Sequence, residues 1–337
     1  MAKTKEGEKK IGILYVLEIL KKYSDEKHLL KYNDIIDLLK QDYGVVIERK
    51  AIARNIDTLM EFGYEIVKRG NTGCYLGYRD FDKGELLFLI DAIYSSKSIS
   101  SKYAKELIDK ITVNCSKYDK DKICRVEKVD ESNVINKQIF YNLEILYEAI
   151  ERKKKVKFQY NEYSLVKGIT ASIPRNNGKE YIINPYHLIN NRGKYYLLCN
   201  YDKYDNLSNY KIENISNVEI LNEDTKPLES LIDGKDFSIK TYIKEHIYMT
   251  HGNSVRVTMR LSSNRVINDV MDWFGNNIRV YSKNDETYVS LKVNEQALVY
   301  WALQYGKEVE IVSPNSTVEL IKESINSLYN KYNKIQS

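Results

Sequence analysis

The chain has no C-x-x-C pair and no H-x-x-x-H spacing, although it holds four cysteines (Cys74, Cys115, Cys124, Cys199) and four histidines (His28, His187, His246, His251). Without metal-ligand spacing no structural zinc and no cofactor are expected, and scattered thiols fit a reduced, cytosolic protein. No stretch approaches the roughly 18 apolar residues that span a bilayer. No apolar segment follows the basic start MAKTKEGEKK either, so neither export nor membrane insertion is expected. There is no G-x-x-x-x-G-K-[ST], no G-x-S-x-G, no H-E-x-x-H and no G-x-G-x-x-G after a strand. Those gaps remove the common signatures of catalysis, and no enzyme is expected. Asp119 and Asp121 are close in sequence but sit in a charged loop, where solvation is their role. Tandem repeats and low-complexity tracts are also missing. Charge is not one-sided: 52 Lys and Arg face 47 Asp and Glu, a net of +5. Any affinity for nucleic acid therefore has to come from local patches.

What is present is patterned. The 337 residues, 43% hydrophobic and 29% charged, suit a globular protein of two or three domains. The most informative stretch is 48–79, ERKAIARNIDTLMEFGYEIVKRGNTGCYLGYR. Ile52, Ile56, Leu59 and Met60 recur at i, i+4, i+7 and i+8 and make one apolar stripe of a helix, leaving Arg49, Lys50, Ala53, Arg54 and Asp57 outside. Gly63 supplies a left-handed C-cap, and YEIVKR-GNTG-CYLGYR reads as a tight hairpin with Lys68, Arg69 and Asn71 at its tip. Upstream, Ile13, Val16, Leu17 and Leu20 mark one amphipathic helix, and Tyr32, Ile35, Leu38 and Leu39 another that ends near Gly44. Three helices followed by a hairpin outline a winged helix-turn-helix over 8–80. In that geometry Arg49, Lys50, Arg54 and Asn55 approach base edges in the major groove, while Lys68, Arg69 and Asn71 grip phosphate or the minor groove.

Residues 81–153 read as a helical linker: two helices from Lys83 onward, a polar connection from Thr112 to Asn136, and a helix from Ile139 to about Lys154. From Lys155 the period changes to two. KVKFQY, LVKGITASI, EYIINPYHLI, KYYLLCNYD and NYKIENISNVEIL predict about five strands over 154–222, a small β-barrel. A polar segment around Asn222 to Lys240 leads into 241–335, whose patterns run βαββαβα, a ferredoxin-like order with an added helix. The fold class is therefore α+β and multidomain.

At GKYYLLCNYD the chain resembles the WYL-domain transcriptional regulators, which carry an N-terminal winged helix, a linker, an Sm-like WYL barrel and a C-terminal WCX extension. The naming triplet Trp-Tyr-Leu stands here as Tyr195-Tyr196-Leu197. Pro185-Tyr186-His187-Leu188 is similar to the family's Pro-containing strand, and Asn209 to Ile215 to the strand that usually bears two arginines. Ser208 and Asn214 occupy those arginine positions, and Tyr181 replaces a frequent basic residue. The resemblance implies a cytoplasmic, bacterial, homodimeric regulator that binds an operator in double-stranded DNA and senses an effector at the barrel. A nucleotide or single-stranded nucleic acid is the implied effector. Tyr160, His187, Arg192, Lys194, Tyr196, Tyr210 and Lys211 are the candidate ligand residues, mixing rings that stack bases with cations that meet phosphate. The alternative is an accessory module of a defence or repair system that acts through protein contacts.

Overall fold

Apolar residues at helical spacing build the first part of the chain. The computed structural model describes residues 5–96, 98–123, 138–166, 168–231, 237–276 and 278–333, and the chain forms two units, Met1–Ile135 and Asn136–Ser337.

In the first unit, α1 (Lys5–Tyr23), α2 (Tyr32–Tyr43) and α3 (Arg49–Phe62) come in succession. Val16, Ile19 and Leu20 of α1, Ile35 and Leu39 of α2, and Ile52, Ile56 and Leu59 of α3 meet in one buried core. Gly44 and Gly63 end α2 and α3 with φ of 65° and 111°, each returning its N–H to the last turn. Met60 differs from expectation: it is exposed, because eight residues beyond Ile52 it lies about 80° around the helix, at the edge of the stripe.

Two short strands follow, β1 (Ile66–Lys68) and β2 (Cys74–Leu76), joined by a 3-10 turn at Gly70–Thr72. They pair antiparallel from Ile66↔Leu76 to Lys68↔Cys74. Leu30 adds a bridge to Cys74, with both N–H···O distances at 2.9 Å. Gly73 is required at this crossing. Its φ is 124°, and a Cβ there would stand 2.6 Å from the Leu30 carbonyl oxygen.

Then come α4 (Lys83–Ser95), α5 (Ser101–Ile111) and α6 (Lys117–Ile123). Asp82 and Glu85 form a capping box at the start of α4, which satisfies two otherwise unpaired N–H groups. Leu86, Ile90, Ile108 and Cys115 make a small core beneath these helices. Helix α6 falls within the stretch read from sequence as a polar connection, and Cys124 lies outside the described residues. The half-buried Arg79 side chain ties the ribbon to this helical group. Its Nη1 donates to the Lys21 carbonyl at 3.0 Å and also to that of Asn114, and its Nη2 donates to the Ser24 carbonyl at 2.5 Å.

The second unit begins with α7 (Gln138–Glu151). Assigned to the linker on sequence, this helix instead packs on the sheet that follows, burying Ile139, Leu146 and Ala149. The sheet contains β3 (Lys154–Val166), β4 (Ile169–Pro174), β5 (Glu180–Asn191), β6 (Lys194–Asn200), β7 (Leu207–Lys211) and β8 (Ile215–Asp224). Two runs read as single strands are each split. Gly168, at φ 81°, turns β3 into β4, and a 3-10 turn at Ile212–Asn214 separates β7 from β8. The order is β4-β3-β5-β6-β7, and β8 also pairs with β3. The sheet therefore curls into a half-barrel, filled by Val156, Phe158, Ile183, Leu197 and Cys199.

After α8 (Ile239–Glu245) come β9 (Ser254–Leu261), α9 (Val266–Phe274), β10 (Arg279–Lys283), β11 (Glu286–Asn294), α10 (Glu295–Gln304), β12 (Val309–Ser313) and α11 (Asn315–Asn333). The strands are ordered β10-β11-β9-β12, all antiparallel. Val257, Met259 and Leu261 of β9 and Val289, Leu291 and Val293 of β11 pack under Val270 and Phe274 of α9 and Leu298 and Trp301 of α10. Alternation along the strands sends Arg256, Thr258, Arg260, Tyr288 and Ser290 to the opposite face.

Candidate nucleic-acid interface

Because Ile52, Ile56 and Leu59 fix which side of α3 turns inward, the outer side is also fixed. Arg49, Lys50 and Arg54 are exposed on it. Among the described residues none of the three has a carboxylate within ion-pair distance, so this half of the helix presents uncompensated positive charge near its N-terminal end. Asn55 differs: it is half-buried and its amide approaches α1 near Gly12.

The ribbon lies against the same helix. The Lys68 ammonium is ion-paired with Asp57 of α3, and that hydrogen bond raises its pKa. Lys68 thus fastens the ribbon to α3 instead of extending from it. Arg69 lies over the Tyr75 ring at 5.8 Å, and Asn71 is exposed in the turn at the tip.

In the half-barrel the seven candidate ligand residues do not converge. Tyr196 lies opposite Lys211, and Leu197 opposite Tyr210; neighbouring positions on a strand point to opposite faces. Tyr210 therefore faces the interior with Tyr160, their ring centres 4.9 Å apart and at 76°. Phe158 sits edge-on to Tyr210 at 5.3 Å, and the Tyr201 and Tyr210 hydroxyls are 2.5 Å apart. Burial pushes the Tyr210 hydroxyl up to about 12 and raises that of Tyr160. Both are neutral rings that can stack and donate a hydrogen bond. Asn214 donates to the Tyr160 hydroxyl at 3.3 Å. Tyr201 and Tyr181 complete the cluster. Tyr201 follows β6 directly, and only its neighbours in space reveal it.

On the other face, Tyr196 is buried with Ile189, Leu198 and Met249. His187 stacks on Phe237 at 6.1 Å, and burial lowers its pKa. Lys194 lies 3.8 Å from Glu213. Arg192 is also engaged: its guanidinium covers the Trp273 ring at 3.7 Å. Among the described residues, no group of three or more His, Cys, Asp or Glu could hold a metal ion, and no helix is long and apolar enough to cross a membrane.

Comparison with known proteins adds three findings. No curated protein matches the chain. Among solved structures, proteasome accessory factor B/C (PafBC) of Arthrobacter aurescens is similar at 14% identity, over 95% of this chain and 48% of that one, with a TM-score of 0.29. The chain thus spans about half the length of that protein. A CRISPR Cas-related protein is similar at 12% identity, over 100% of this chain and 88% of that one, with a TM-score of 0.37. The model of the WYL domain matches residues 141–220, which run from α7 into β8. The half-barrel with α7 packed on it is therefore a WYL domain.

Proposed function

We propose that the chain is a dimeric, DNA-binding transcriptional regulator whose WYL domain senses an effector. In this reading α1 to α3 and the β1–β2 ribbon act as a winged helix-turn-helix, α4 to α6 as the linker, and β9 to α11 as a ferredoxin-like WCX extension. The observation that carries it is the row of Arg49, Lys50 and Arg54, exposed and without carboxylate partners among the described residues, on a helix braced from behind by a shared core. Such a helix enters a major groove end-on, arginines offered to guanine edges and the ribbon tip to the backbone. Tyr160 and Tyr210 are the rings best placed to stack an effector base, with a nucleotide or single-stranded nucleic acid as its class.

Fluorescence anisotropy on duplexes tiling the chain's own upstream region, at two salt concentrations, tests this reading. One tile should bind far more tightly than a scrambled duplex, and Arg54→Ala should lose about 1–3 kcal/mol of that binding. Equal affinity in Arg54→Ala would remove α3 from the interface.

A second reading has one observation behind it. Tyr163 and Leu165, on one face of the β3–β4 arm, are 58% and 73% exposed, and Val166 and Ile169, paired on its other face, are 42% and 71% exposed, apolar positions suited to a protein partner. An accessory module of a defence or repair system would use them, and would bind no tile selectively.

A further inference from the structure

We infer that the open face of the β10-β11-β9-β12 sheet is a second nucleic-acid site, one that takes an unpaired strand. Helices α9 and α10 cover one face of this sheet, and the other carries an aromatic pair within a field of cations. Tyr281 of β10 and Tyr288 of β11 are direct partners across the strands, with ring centres 5.6 Å apart and planes at 16°. Arg279 lies over Tyr281 at 5.4 Å.

The charges on this face separate into two groups. Arg260 is held by Glu286 at 2.6 Å and by Glu310 at 2.9 Å, and Lys292 by Glu245 at 3.1 Å. These pairs brace the sheet. Arg256, Arg279 and Lys283 are exposed, and among the described residues no carboxylate lies within ion-pair distance of any of them. Arg279 and Lys283 flank Tyr281 on β10, and Arg256 sits two strands away on β9, opposite Lys292.

Rings beside uncompensated cations on a flat surface complement a strand whose bases are unstacked. In a duplex the base faces are hidden, so stacking on Tyr281 and Tyr288 selects single strands, while the arginines and the lysine follow the phosphates. The Tyr288 hydroxyl is held by Glu286 at 2.8 Å, which fixes its ring against Tyr281. This site is separate from the outer face of α3 and from the interior of the WYL domain.

The test is anisotropy of the full chain with labelled oligodeoxyuridylate and oligouridylate, which differ only in the sugar. The Tyr281→Ala/Tyr288→Ala variant should bind each probe about tenfold more weakly per ring lost. Tyr281→Phe/Tyr288→Phe should retain binding, which separates loss of stacking from damage to the fold. Arg256→Glu/Arg279→Glu should bind weakly and with a flatter salt dependence. A preference between the two probes names the sugar and supports the site either way. Undiminished binding in the double alanine variant, failure of the wild-type chain to bind either probe, or loss only in Tyr160→Ala/Tyr210→Ala would each overturn the proposal. Duplex binding lost in Arg54→Ala with single-strand binding intact would show the two sites to be independent, so failure of one reading leaves the other standing.

Discussion

The guanidinium of Arg192 lies 3.7 Å from the centre of the Trp273 ring and donates to the Asp272 carbonyl at 3.3 Å. Arg192 belongs to the β5–β6 turn and Trp273 to α9, so one side chain joins the WYL half-barrel to the C-terminal sheet domain. At an exposed site a cation–π contact contributes about 0.5–1 kcal/mol. Arg192→Ala should therefore lower the urea midpoint of the second unit by an amount equivalent to about 1 kcal/mol, and Arg192→Lys should recover only part of it because the planar stack is lost.

Asn142 is buried on α7 and donates to the Ile215 carbonyl at 2.7 Å. Asn142→Leu keeps the branched shape but withdraws the donor from that carbonyl in the interior, at a cost of about 1–3 kcal/mol. Chemical denaturation should show it, and an unchanged midpoint would mean that α7 does not clamp the half-barrel closed.

Gly73→Ala should be more damaging than its size suggests. The added Cβ meets the Leu30 carbonyl at 2.6 Å in a backbone at φ 124°, a combination of clash and strain worth upward of about 1–3 kcal/mol. The ribbon should detach from Leu30, lowering the melting temperature of the first unit and, under the proposed function, weakening duplex binding with it.

Acidification below about pH 6.5 should destabilise the second unit. Burial holds the His246 imidazole below its usual pKa, even with the Tyr242 carbonyl 2.9 Å from Nδ1 and that of Gly252 3.3 Å from Nε2. The unfolded chain then binds the proton more tightly than the folded one. Stability from this group is present above the unfolded pKa of about 6.5 and is lost as pH falls through the lowered folded value. His187, lowered by burial as well, acts with the same sign. Urea unfolding at about pH 5 should give a lower midpoint than at about pH 7.5, and His246→Gln should shrink the difference.

The helices and their ends were legible because the signals that mark them are local. Period 3.6 marked Ile52, Ile56 and Leu59, and glycine at 44 and 63 marked where α2 and α3 stop. Met60 was misplaced only because it sits at the margin of that stripe. The break between β7 and β8 was not legible, since Ile212, Glu213 and Asn214 contain neither glycine nor proline to announce a turn. Nor was the division of the barrel tyrosines. Whether Tyr196 and Tyr210 share a face depends on register, which pairs Tyr196 with Lys211, and register belongs to two strands at once. The same limit hid the open sheet face. The βαββαβα order put β10 beside β11, but the register that sets Tyr281 opposite Tyr288 belongs to the two strands together.

Arg79 gathers carbonyls contributed by residues 21, 24 and 114, and Asp25 accepts a further bond from Ser116 at 2.9 Å. A piece of chain stopping at residue 80 keeps the guanidinium but loses the Asn114 carbonyl that it binds. A piece running from Lys5 through Ile123 keeps every one. Whatever the ribbon and α3 recognise, they are transplantable only with α4 to α6 attached.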